Sequence, residues 1–250
     1  MPGGMAHVAV REEMALEEPT LVEGLPGVGL VGKIAADHLV ETFDMTHYAD
    51  LRCSGLPRVA VYRGEQGRVQ APVRLYADEG RDLVVLQSDV PVSPSTAEEF
   101  AGCVTGWLAD NGVTPVYLSG LPAEKDENPP ELFGISTGDG DAILDEYGIV
   151  PPRETGLVGG PTGALLHEAE ARGLAGVGLV VEADKQFPDP EAARVVLEHG
   201  IGPIAGVEVE TDTLVDQAEE IREARERLAR RMQEADLDES SQAQTLRGFQ

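Results

Sequence analysis

Residues 20–43, TLVEGLPGVGLVGKIAADHLVETF, constrain the fold more than any other stretch. A short apolar strand, Thr20 to Glu23, runs into a glycine-rich turn, Gly24 to Gly29. A helix follows to about Thr42, with Val31, Ile34, Ala35 and Leu39 on one face. Such a unit is expected to lay its helix on the sheet that the strand enters.

The turn satisfies two nucleotide templates in part. Gly27-x-Gly29-x-x-Gly32 after a strand and before a helix has the spacing of a dinucleotide fingerprint, in which backbone approaches a pyrophosphate. Its acidic partner should end the next strand, and the nearest candidate, Asp50, sits inside that strand. Gly27-x-x-x-x-Gly32-Lys33 is also most of a phosphate-binding loop, but Ile34 stands where a hydroxyl should meet Mg²⁺. The structural alternative is that Gly24, Gly27, Gly29 and Gly32 allow a tight turn and close helix-on-sheet packing.

Downstream, short apolar runs alternate with helical patterns. Strands are expected at 7–10, 48–53, 59–62, 69–76, 82–87, 113–118, 132–136 and 177–182. Helices are expected from Ser95 or Thr96 to Asn111, over 141–147, over 164–172 and from Asp189-Pro190 to Glu198. A second glycine turn, Gly159-Gly160-Pro161-Thr162-Gly163, opens the helix at 164. A hairpin near 63–68 makes the sheet mixed, with helices on both faces. The domain is expected to span 1–208. Over 209–235, Leu214, Ala218, Ile221, Arg225, Leu228 and Met232 form a heptad-like stripe, a C-terminal amphipathic helix suited to its own domain or to an oligomer interface. Residues 236–250 read as a polar, mobile tail.

Charge narrows the function. The formal net charge is −26 and the lysines are Lys33, Lys125 and Lys185. An acidic, lysine-poor surface is the solvation shell expected of a protein working in very high salt, where the Debye length falls to roughly 3 Å. It argues against nucleic acid or anionic membrane as partners. Cys53 and Cys103 form no metal-ligand spacing and are expected as two buried thiols in a reducing cytoplasm. His7, His38, His47, His167 and His199 show no metal-ligand spacing either, so neither metal nor cofactor is expected. Gly134-Ile135-Ser136-Thr137-Gly138 has nucleophile-elbow spacing, with Asp184 and His199 following in the order a hydrolase would need.

Three segments taken together resemble the archaeal branch of the proteasome assembly chaperone family, relatives of the eukaryotic second assembly chaperone. They are Gly24-Leu25-Pro26-Gly27-Val28-Gly29-Leu30-Val31-Gly32, Gly159-Gly160-Pro161-Thr162-Gly163-Ala164-Leu165-Leu166 and Phe187-Pro188-Asp189-Pro190-Glu191-Ala192-Ala193. The resemblance implies a three-layer α/β/α fold with a central mixed sheet, of the phosphorylase/hydrolase-like kind. It also implies homo-oligomerisation and a non-enzymatic role at proteasome α subunits. In the wider family, tails ending in hydrophobic–tyrosine–any insert between α subunits. The matching positions are Gly248, Phe249 and Gln250, with Phe249 in place of the tyrosine. A serine hydrolase using Ser136 and a nucleotide binder using the Gly27–Gly32 turn are the alternatives.

Overall fold

The computed structural model describes residues 7–53, 56–57, 59–62, 67–123 and 129–214. Among the described residues ten strands form: β1 (His7–Val10), β2 (Thr20–Gly24), β3 (Thr46–Arg52), β4 (Val61–Tyr62), β5 (Val69–Gln70), β6 (Val73–Asp78), β7 (Leu83–Ser88), β8 (Thr114–Ala123), β9 (Leu132–Thr137) and β10 (Gly176–Asp184). The helices are α1 (Val31–Thr42), α2 (Ala97–Asp110), α3 (Asp141–Tyr147), α4 (Gly160–Arg172), α5 (Pro190–Val196) and α6 (Gly202–Ala205). A π-helical turn, Leu197–Ile201, joins α5 to α6.

Eight strands make one mixed sheet in the order β1-β3-β6-β7-β2-β8-β10-β9. β7, β2, β8 and β10 run parallel, and their near-continuous apolar sequences are those of strands covered on both faces. The flanking strands are antiparallel. Alternate residues feed two cores. Val22, Leu83, Val85, Val116, Leu179 and Val181 pack with α1, α3 and α5. Leu21, Leu75, Val84, Leu86 and Tyr117 pack with α2 and α4.

α1 matches the sequence reading, with Val31, Ala35 and Leu39 buried and Ile34 partly covered. Other elements differ for local reasons. The strand expected over 69–76 is two strands, because Ala71-Pro72 ends the β4–β5 hairpin before β6 joins the main sheet. Thr96 is the N-cap of α2 as expected, without a side-chain cap bond, and Ser93 caps the 3-10 turn Pro94–Thr96 ahead of it, its hydroxyl accepting from the Ser95 N–H. α4 begins at Gly160 rather than Ala164, so Gly160 and Gly163 lie in its first turn and Gly159 is its N-cap. Only the start of the heptad-like stripe is described: Leu214 is fully buried in the α1–α5 core. The rest of the stripe expected as a C-terminal helix, and the expected tail with Gly248, Phe249 and Gln250, lie outside the described residues.

The two cysteines are not free thiols. Cys53, just past β3, is bonded to Cys103 on α2 across 50 residues. Their distance in sequence and the absence of any motif hid the pairing. Closing a loop of that length is worth about 4 kcal/mol in the chain-entropy account. The Cys53→Ser/Cys103→Ser double variant is therefore expected to unfold at clearly lower urea than the wild type in molar KCl. An unchanged midpoint, or a wild type insensitive to reductant, would count against the bond.

Candidate functional site

The three segments quoted above lie far apart in sequence and meet at the carboxyl ends of β2, β8 and β10. Each does so through a specific contact. Gly24 and Gly32 bring α1 onto β2: a Cβ on Gly24 would meet the Ala36 methyl and come 2.7 Å from the Leu86 carbonyl oxygen. One on Gly32 would lie 3.0 Å from the Leu25 carbonyl oxygen. Gly29 has φ +63°, and its Cβ would press on Ala183 and Asp189. Gly120 on β8 carries the same demand, since a Cβ there would approach the Val28 carbonyl oxygen to 2.5 Å.

Glu23 ties the first segment to the second. It is a carboxyl inside an apolar strand, 1% exposed. It accepts from the Leu25 N–H at 3.2 Å, the Leu118 N–H at 3.0 Å and the Thr162 hydroxyl at 3.1 Å. Thr162 lies in the first turn of α4, where the helix dipole favours an anion. Burial nevertheless dominates and pushes the Glu23 pKa up to about 7, against the hydrogen bonds that hold it down.

Asp189 ties the third segment to the first. Its N–H donates to the Gly29 carbonyl at 2.7 Å. Its carboxylate is fully buried and accepts from Ala192 at 3.1 Å, capping α5, and from Asp184 at 2.9 Å. Around this junction a cleft of about 320 Å³ is lined by Gly27, Val28, Gly29, Leu30, Lys185, Gln186, Phe187 and Pro188. Leu30 stands at φ +51° and is 37% exposed, an uncommon backbone state for leucine. Phe187 is half exposed.

The other sequence candidates are not brought together. Lys33 points away from the turn, bonding Asp37 at 2.7 Å and facing Asp89 at 3.8 Å. It belongs to a network in which the fully buried Arg74 donates to Gln87 and Asp89, and Gln87 donates to Asp37. Asp50 sits within β3, paired with Arg11 and His47, and not at a strand end facing the turn. Ser136 is exposed on edge strand β9 opposite Val177, while Asp184 ends β10. Seven residues of strand separate those levels, about 23 Å. Asp184 instead accepts from the Gln186 and Phe187 N–H groups, and His199 is exposed beside Glu198. Gly27 has open space around it, and nothing in the structure explains it.

The roles of Glu23, Thr162 and Gly120 were missed in the sequence, whereas Asp189 was placed at the start of its helix without its tie to Gly29. A carboxylate in an apolar strand was a signal for Glu23, and Asp before Pro was one for Asp189. The Glu23 shift fixes a pH dependence. The folded pKa lies above the ordinary 4.5, so the folded state holds the proton more tightly. Its contribution is present below pH 4.5 and is lost as pH rises to about 7, by up to about 3 kcal/mol. Glu23→Gln is expected to flatten that part of the stability–pH curve. Urea midpoints for both proteins from pH 5 to 8 in molar KCl test this, and parallel curves would exclude it.

Comparison with known proteins agrees with this geometry. The model of the PAC2 family matches residues 21–229. An uncharacterized protein of Methanocaldococcus jannaschii is 29% identical over 221 residues, covering 88% of this chain and 89% of the relative. The structure of Pyrococcus furiosus PbaA, an archaeal homolog of proteasome-assembly chaperone, is similar with a TM-score of 0.75 and 27% identity, covering 96% of this chain and 98% of that one. Pyrococcus furiosus PbaB, an archaeal proteasome activator, is similar with a TM-score of 0.74 and 25% identity over 90% of this chain and 98% of the other. With its three motif segments locked at one edge of a mixed sheet and a family match across most of its length, the chain belongs to the PAC2 family.

Proposed function

We propose that this chain is a non-enzymatic protein-binding factor, a proteasome-assembly-chaperone-like homo-oligomer that contacts proteasome α subunits. The observation that carries the reading is how the motif residues are spent. Glu23 and Thr162 are bound to each other, and the Gly29 carbonyl is bound to Asp189. The glycines accommodate neighbouring backbone and methyl groups, and Lys33 is bound to Asp37. A phosphate site would need those groups turned outward. Leu30 and Phe187, which are exposed at the junction, are apolar and suit contact with another protein.

The likeness to PbaA and PbaB supports a role at the proteasome. In this reading the protein works in a high-salt cytoplasm, and its acidic surface keeps it soluble there. Gly248, Phe249 and Gln250 are the end offered to the α subunits. The Phe249 ring retains the buried area that a tyrosine would supply and loses the hydroxyl's hydrogen bond.

Capture of α subunits by the full-length chain in molar KCl tests the partner, and Phe249→Ala tests the tail. The wild type is expected to retain α subunits and the variant to retain markedly less. Equal recovery removes the tail from the reading, and no recovery by the wild type removes the partner.

A further inference from the structure

The Cys53–Cys103 disulfide fastens a limb of the chain that has few other ties. Past Arg52 of β3 the chain leaves the main sheet, forms the separate β4–β5 hairpin and returns at Val73 of β6. The return limb is held by hydrogen bonds. The Asp89 N–H donates to the Pro72 carbonyl at 2.9 Å, and the fully buried Arg74 donates to the Ala71 carbonyl at 2.6 Å. The outgoing limb has no equivalent. Among the described residues, those from Cys53 to Tyr62 hydrogen-bond only with one another and with β5. Leu56 packs against the second core, and the bond from Cys53 to Cys103 on α2 is the limb's covalent anchor.

That bond lies at the margin of the core and not inside it. Cys53 is 7% exposed and Cys103 is half-buried on α2, so the Cys103 sulfur is the more accessible. Both elements that the bond joins have other holds. β3 is paired with β1 on one side and β6 on the other. α2 buries Phe100, Ala101, Val104 and Leu108 and packs along α4. Opening the bond therefore leaves β3 and α2 in place and releases the limb between Arg52 and β4. Trp107, the chain's one tryptophan, stands a single helical turn from Cys103. Its ring lies 6.3 Å from that of Tyr48 on β3, so its emission reports on this contact.

We propose that Cys53–Cys103 is a redox-operated clamp: oxidised, it pins the root of the β4–β5 hairpin to α2, and reduced by a dithiol, it frees that root from a body that stays folded. A thiolate of the dithiol attacks the Cys103 Sγ and forms a mixed disulfide with it. The electron pair of the broken S–S bond goes to the Cys53 Sγ, which takes up a proton. The second thiol of the reductant then displaces the Cys103 Sγ, which is protonated in turn. Two electrons and two protons pass to the protein, and the reductant leaves as its own disulfide. The cytoplasm proposed above supplies dithiols of this class, and a disulfide in such a compartment is mostly a catalytic or redox-sensing one. The inference rests on that reading for its reductant alone.

Deuterium uptake separates a clamp from a plain staple. The oxidised full-length chain is titrated with dithiothreitol in molar KCl, with thiols counted by alkylation and folding followed by circular dichroism. Both thiols should appear while the circular dichroism holds, and Trp107 emission should rise as the quenching disulfide opens. Peptides carrying β4 and β5 should then exchange about tenfold faster or more, with β2 and β7 peptides within about twofold of the oxidised chain. Cys53→Ser/Cys103→Ser should exchange like the reduced chain and ignore dithiothreitol. Where that variant fails to fold, wild type alkylated after native reduction takes its place. Thiols that appear only in denaturant overturn the proposal. So does hairpin uptake unchanged by reduction, and so does uptake that quickens equally in hairpin and central strands. A failed α-subunit capture leaves all of these readouts as they are.

Discussion

Everything at the carboxyl edge depends on how closely α1 approaches β2. Gly24 and Gly32 remove the two Cβ atoms that would hold the helix off, so backbone meets Ala36 and the Leu86 and Leu25 carbonyls. Glu23 is 1% exposed beside that contact, so its carboxyl depends on partners within the protein. Leu25, Leu118 and Thr162 are those partners, and they belong to three different elements. One close approach therefore fixes the position of α4 relative to β2. The same turn offers the Gly29 carbonyl to Asp189 and so fixes the start of α5.

That chain of dependence explains why the sequence was legible in some places and closed in others. The strand–turn–helix from Thr20 to Thr42 was readable because both periodicities and the glycines occur within one window. The helix-covered sheet followed from alternation, but its mixed character was read from the hairpin near 63–68; β4 and β5 instead form a separate two-stranded sheet, and the antiparallel strands of the main sheet are β1, β3, β6 and β9. The role of the glycines was not readable, since a turn that receives phosphate and one that receives backbone require the same small residues. What separates them is where the neighbouring groups point. Lys33 turns to Asp37, and the helix's first turn is pressed against the Leu25 carbonyl. Those are tertiary facts, set by residues far along the chain.

The remaining misses share that cause. Cys53 and Cys103 meet because β3 ends beneath α2, which no spacing rule encodes. Ser136 looked like an elbow because its glycines fit a template. The first of them, Gly134, instead admits Leu144 and Ile149 against β9, and Ser136 continues the strand. Thr162 was quoted inside a motif without a role, since its partner lies 139 residues away. Where a residue's reason is local, as with the Asp189 cap, the sequence carried it.

Acidity and assembly are linked by the range of electrostatic forces. In dilute buffer, two copies with net charge −26 repel over many ångströms, whatever their ends look like. In molar salt that repulsion is confined to roughly 3 Å, and association is decided by groups in direct contact. Apolar pairs then supply most of the affinity, because salt does not screen them. Charged groups then contribute little attraction at a distance but still penalise wrong pairings at contact, such as carboxylate on carboxylate.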